Sequence, residues 1–164
     1  IRSMIGLNAV GRDAAIRAGG ATALTDVTGY GLAVHASEMV EGKGLAVRLE
    51  LDRLPMLPGV LGLIDAGVKN RANASNRAYL EGHIREEMPE RHDPRLAELA
   101  FDPQTSGGLL IAIAPERVDR LIAELEAAGA EAAAVVGRIE PRTGDDWVVL
   151  GMSETVVPQP EGAS

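Results

Sequence analysis

The chain has 164 residues, 46% hydrophobic and 24% charged, which suits one globular domain with a core that needs no disulfide or metal staple. A net charge of −8 without a basic run argues against a nucleic-acid or anionic-membrane partner, and no apolar run approaches the roughly 18 residues that cross a bilayer. There is no cysteine, which excludes disulfides, thiolate metal sites and a cysteine nucleophile within these residues.

A cytoplasmic protein is the expectation. The first residue is Ile1, with no charged leader and apolar signal core, so a processed chain or a fragment is expected. The only aromatic residues are Phe101, Trp147, Tyr30 and Tyr79. The core is therefore expected to be aliphatic.

Arg2 to Ala18 reads as a helix, since Met4, Leu7, Val10, Ala14 and Ala18 recur at spacings of three and four. Gly19-Gly20 ends it. Ala21 to Asp26 reads as a buried strand, and Leu32 to Val40 as a helix stopped by Gly42. Leu45 to Leu51 alternates apolar and polar residues and predicts a half-buried strand. Pro58 opens a short helix ending near Gly67. Val68 to Arg77 has no clean period and reads as a loop, leading into a short helix near Tyr79 to Ile84. Asp93-Pro94 starts a helix through Phe101.

Leu109 to Ala114 is an apolar run of strand length. Pro115 opens a helix whose apolar face is Val118, Leu121, Ile122, Leu125 and Ala128, with Gly129 as its stop. Ala132 to Ile139 and Trp147 to Leu150 read as two strands of a hairpin. Residues 1–152 are taken as one domain and 153–164 as a flexible tail. The order of elements predicts an α+β fold, a layered α/β/α domain with a mixed sheet.

Two glycine-rich segments could carry chemistry. In Thr25-Asp26-Val27-Thr28-Gly29-Tyr30-Gly31, a strand delivers a carboxylate to a tight turn and a helix begins at once. Unpaired N–H groups at a helix start suit an anion, and a carboxylate beside an anion suits Mg²⁺. The competing reading is that Asp26 or Thr28 simply caps the helix. In Asp102-Pro103-Gln104-Thr105-Ser106-Gly107-Gly108, the glycines permit close approach of backbone and the hydroxyls can donate. The competing reading there is an ordinary helix-to-strand connection.

Together these segments resemble the two signatures of the selenophosphate synthetases (selenide, water dikinases). Thr25-Asp26-Val27-Thr28-Gly29-Tyr30-Gly31-Leu32, with His35 following, is similar to the first signature. That signature is partly shared with the wider aminoimidazole ribonucleotide synthetase superfamily. Asp102-Pro103-Gln104-Thr105-Ser106-Gly107-Gly108-Leu109-Leu110 is similar to the second and more specific one. The chain departs from the pattern at Tyr30, at Ala33-Val34, and in the 69–77 loop, which lacks a Gly-Gly pair.

The resemblance implies the C-terminal half of an enzyme about twice this length, with a layered, partly ferredoxin-like fold. The family reaction converts ATP, selenide and water to selenophosphate, AMP and phosphate. Its N-terminal domain carries the Cys or selenocysteine, a Lys, and most of the groups that bind Mg²⁺ and ATP. On matching positions, Asp26 would be the Mg²⁺ ligand supplied by this domain. Thr28 and Gly29 would lie near the phosphates, and Thr105, Ser106 and Gly107 would line the interface toward the N-terminal domain. No catalytic residue falls in this piece. The implied partners are the protein's own N-terminal domain and, for the full-length enzyme, a second copy in a homodimer. The alternatives are the matching domain of another ATP-dependent superfamily member and a non-catalytic interaction domain.

The remaining candidates read as structural. His35 and Glu38 have a spacing that could bind metal, but no third ligand accompanies them, which favours a hydrogen-bonded histidine. His83 and His92 are expected to be solvated, and Glu86, Glu87 and Glu90 to form an exposed acidic face. Arg71 and Arg77 suit either a phosphate or neighbouring carboxylates.

Overall fold

The computed structural model describes residues 8–68 and 70–153. Helix α1 is Ala9–Arg17 and ends at Gly19 and Gly20, which take φ of +106° and +93°. Its expected start at Arg2 and the tail from residue 154 onward lie outside the described residues. Strand β1 (Ala23–Asp26) leads into helix α2 (Gly31–Val40). Every residue of α2 except Glu38 is buried, the mark of a helix enclosed by the fold rather than lying on it.

Strand β2 (Leu45–Glu50) follows α2. Its alternation predicts one wet face, yet Ala46, Val47, Leu49 and Glu50 are all buried. The reason is position. β2 is flanked on both sides, parallel to β6 (Val148–Gly151) and antiparallel to β5 (Gly137–Pro141). Glu50 tolerates burial because Arg53 and Arg138 reach its carboxylate at 2.9 and 3.1 Å. Strand β3 (Ile84–Glu87) pairs parallel with β6, so the four-stranded mixed sheet runs β3-β6-β2-β5. The expected hairpin is therefore absent: β2 separates β5 from β6. Turn residues between two strands predict their proximity, but not which third strand is inserted.

Helix α3 (Val60–Asp65) begins after Gly59, beyond Pro58, and ends before Gly67. The expected loop over Val68–Arg77 is corrected to helix α4 (Arg71–Tyr79), whose N-terminus is capped by the Asn70 side chain accepting from the Ala72 N–H at 3.1 Å. α4 lacks an apolar stripe because it contributes mainly one buried polar residue, Asn76. The helix expected near Tyr79–Ile84 is also corrected: α4 stops at Tyr79 and Ile84 opens β3. Helix α5 (Arg95–Leu99), strand β4 (Leu109–Ala112), a 3₁₀ turn at Pro115–Arg117 and helix α6 (Val118–Ala127) complete the chain.

β1 and β4 form a separate antiparallel ribbon, with Asp26 opposite Leu109. α1 and α6 pack together beside it, joining Ala14, Ala15, Ala18 and Leu121 to Ile111, Ile113 and Leu125. α2 touches both β1 and the large sheet and so links the two sheets. The architecture is α+β, layered, with a mixed sheet.

The main core joins α2, the inner face of the large sheet, Leu51, Leu80 and Phe101. It is aliphatic as expected, with one exception. Phe101 is 1% exposed and is the largest fully buried side chain. Truncating it leaves a cavity that an aliphatic core closes poorly. Phe101→Ala is expected to cost about 3–5 kcal/mol in urea unfolding of the chain. A loss under about 1 kcal/mol would show that Phe101 is not central to the core.

Candidate functional site: a glycine turn tied to a second loop

β1 ends at Asp26, whose side chain is exposed. The next residue, Val27, turns inward to 6% exposure, and its N–H donates to Gly108 at 3.0 Å. The Thr28 carbonyl accepts two N–H groups, from Gly31 and from Gln104, each at 3.0 Å. The glycine turn and the 102–108 segment are thus two sides of one stitched structure. Gly107 is required there, since a Cβ would collide with the Val27 carbonyl oxygen. Gly31 is required twice over: its φ is +74°, and a Cβ would lie 2.8 Å from the Phe101 carbonyl carbon. Gly29 instead faces open space.

Two asparagines tether this assembly. Asn76 donates to the carbonyls of Gly29 and Phe101, both at 3.0 Å, and Asn8 reaches the Gly107 carbonyl at 3.4 Å. Sequence reasoning missed both. Asn76 lies in a polar run without period, and what it binds is backbone brought from elsewhere, which leaves no local pattern.

The structure brings Asp26, Thr28, Gly29 and Gly107 into one assembly, Asp26 through its pairing with Leu109, Thr28 through backbone bonds, and Gly29 and Gly107 through the amides of Asn76 and Asn8. Thr105 and Ser106 sit on its outer edge with exposed side chains. The helix-capping reading fails: α2 has no side-chain cap at its start. The helix start is also less available to an anion than expected, because the N–H of Gly31 binds Thr28 and that of Ala33 binds the Ala100 carbonyl at 2.8 Å.

The Thr28 hydroxyl lies 3.0 Å from His35 Nε2, and His35 Nδ1 lies 2.9 Å from Glu38 Oε2. Both ring nitrogens are engaged, so His35 is a hydrogen-bonded histidine rather than a ligand of a helix metal site. Among the described residues, no group of three or more His, Cys, Asp or Glu could hold a metal ion. Exposed Tyr30 and Tyr79 lie 6.2 Å apart beside this row.

Other candidates resolve structurally. His83 is half-buried rather than solvated, stacked on Trp147 at 3.8 Å with Nδ1 3.0 Å from the Asp145 carbonyl. His92 Nδ1 lies 2.7 Å from the Pro89 carbonyl. Arg77 pairs with Glu86 at 2.6 Å and Glu98 at 3.6 Å while its guanidinium covers the Phe101 ring. Glu87 pairs with Arg48 and Arg85, so the acidic face is laced with arginines. Arg71 lines a groove of about 490 Å³ with Asn73, Leu99 and Asp102.

The family model described as AIR synthase related protein, C-terminal domain, matches residues 7–149. Proteins named selenide, water dikinase are similar to the chain. That of Pelobacter propionicus is 41% identical over 141 residues, 85% of this chain and 39% of that protein. That of Citrifermentans bemidjiense is 42% identical over 151 residues, 91% of this chain and 41% of that protein. That of Escherichia coli O6:H1 is 41% identical over 125 residues, 76% of this chain and 34% of that protein. The chain therefore spans between 34% and 41% of the length of these relatives.

Burial pushes the Asp102 carboxyl above its ordinary range. The folded state thus favours the protonated form. The stability this supplies is complete at acid pH and is lost as pH rises through the raised value. Asp102→Asn is expected to be more stable than the parent at pH 7, with the difference closing as pH falls below about 4. Urea midpoints at the two pH values check this, and a parent at least as stable as Asp102→Asn at pH 7 contradicts it.

Proposed function

This chain belongs to the AIR synthase related protein C-terminal domain family, and we propose that it is the C-terminal domain of an ATP-dependent selenophosphate synthetase. The observation that carries the reading is the stitching of two signature-like segments into one assembly, with the exposed Asp26 carboxylate at its edge. The likeness to proteins named selenide, water dikinase supports it along most of the chain.

In this reading the whole enzyme converts ATP, selenide and water to selenophosphate, AMP and phosphate. Phosphoryl transfer of this kind rests on positioning and on neutralising phosphate charge. Mg²⁺, when bound, supplies that neutralisation. Asp26 is a hard oxygen donor on an exposed strand end and fits such an ion. One carboxylate is too few, and among the described residues no larger cluster accompanies it. The fit is therefore to a shared site, with the other ligands, the ATP-binding groups and the Cys or selenocysteine coming from an N-terminal domain. Gly29 leaves room for close approach of a phosphate, and Thr105, Ser106 and Gly107 form the rim facing that domain. A homodimer of the full-length protein and a cytoplasmic location belong to the same reading. No helix among the described residues is long and apolar enough to cross a membrane.

Two outcomes test this. The 164-residue chain alone is expected to bind Mg²⁺–ATP weakly and to form no AMP from ATP and selenide, since it has no cysteine and a single candidate metal carboxylate. Selenide-dependent AMP formation by the chain alone contradicts that. In the longer protein that contains it, Asp26→Asn is expected to lower activity about tenfold or more, equivalent to about 1.4 kcal/mol. The fold should be intact by circular dichroism. Near-parental activity at limiting Mg²⁺ removes Asp26 from the site.

A further inference from the structure

We propose that His35 and Glu38 are positioning residues that set the direction of the Thr28 hydroxyl, so that Thr28 offers the glycine turn an oxygen lone pair rather than a proton. The proposal deepens the function proposed above, and its catalytic consequence rests on that reading.

The polarity follows from the ends of the row. Glu38 is the one residue of α2 that is not buried, and its ionised carboxylate can only accept. At 2.9 Å from Glu38 Oε2, His35 Nδ1 must therefore carry the proton. In a neutral imidazole Nε2 is then the acceptor. With the ring in that tautomer, Thr28 Oγ1, 3.0 Å from Nε2, directs its one proton at the ring. What remains on Thr28 is its lone pairs. Tyr30 closes the row from outside, its ring edge-on to the imidazole at 6.0 Å. The His35 side chain is only 10% exposed, so water competes poorly for either nitrogen.

The consequence reverses a role inferred from the sequence. A phosphate oxygen needs a donor, and a Thr28 hydroxyl directed at His35 cannot supply one. A hydrated divalent cation needs acceptors, and Thr28 and the Asp26 carboxylate two residues earlier are both acceptors. The ligand class that suits the side chains of the turn is the cation and its water, while phosphate is left to backbone N–H groups and to donors elsewhere.

The test reads the tautomer directly. The chain has three histidines, so a long-range ¹H–¹⁵N correlation spectrum of the 164-residue chain at pH 7.5 is readily assigned. His35 is expected as the Nδ1–H form. Glu38→Ala should move it toward the Nε2–H form, and Glu38→Gln, whose amide oxygen still accepts, should keep it. A parental His35 that is Nε2–H or doubly protonated, or a Glu38→Ala spectrum unchanged from the parent, overturns the proposal. In the longer protein, Glu38→Ala is expected to lower kcat about tenfold with KM for ATP unchanged, and Glu38→Gln to restore most of it. Equal kcat for parent and Glu38→Ala overturns the catalytic consequence. If the tautomers behave as expected but the longer protein forms no selenophosphate, the proposed function fails and the positioning row stands.

Discussion

A single backbone carbonyl, that of Thr28, accepts from both Gly31 and Gln104. Much of the molecule depends on that shared acceptor. It closes the turn between β1 and α2 and at the same time fastens that turn to a segment more than 70 residues later in the chain. Val27 to Gly108 and Ala33 to Ala100 extend the seam on either side. Buried backbone groups must find partners, and here the partners belong to two loops rather than to a ladder. The seam lets an irregular turn hold one shape, and it explains why Gly31 and Gly107 stand where no Cβ fits.

The seam is affordable because α2 is enclosed. It lies between the ribbon and the four-stranded sheet and buries every side chain but Glu38. Phe101, at the far end of the seam, sits in the same core, so burial of apolar surface and closure of the site occur together. Asn76 joins the two by binding the carbonyls of Gly29 and Phe101 with one amide group. Glu38 is the one residue of α2 that is not buried, and it brings an exposed carboxylate to the row that ends at Thr28.

The strongly periodic elements were legible in the residues. The described part of α1, α6 and the strand β2 follow from their spacing, α2 from the glycine turn before it and Gly42 after it, and glycine or proline marks the helix ends as expected. The failures share a physical cause. α4 has no apolar stripe because its buried contribution is an amide, not a hydrocarbon face. β3 reads as polar because it is an edge strand whose pairing with β6 does the stabilising. β5 and β6 look like a hairpin because local turn chemistry is blind to the insertion of β2 between them.

The candidate site divides in the same way. By itself the sequence determined that one carboxylate meets a glycine turn at a strand end, that a second glycine-rich segment precedes another strand, and that no thiol is present. Those are properties of residue type and local spacing. Only the tertiary structure decided that the two segments share a carbonyl, that the start of α2 is already partly satisfied, and that Thr28 points to His35. Hydrogen-bond direction depends on which acceptor lies at the other end of the row, and that is a matter of distance in space rather than separation along the chain.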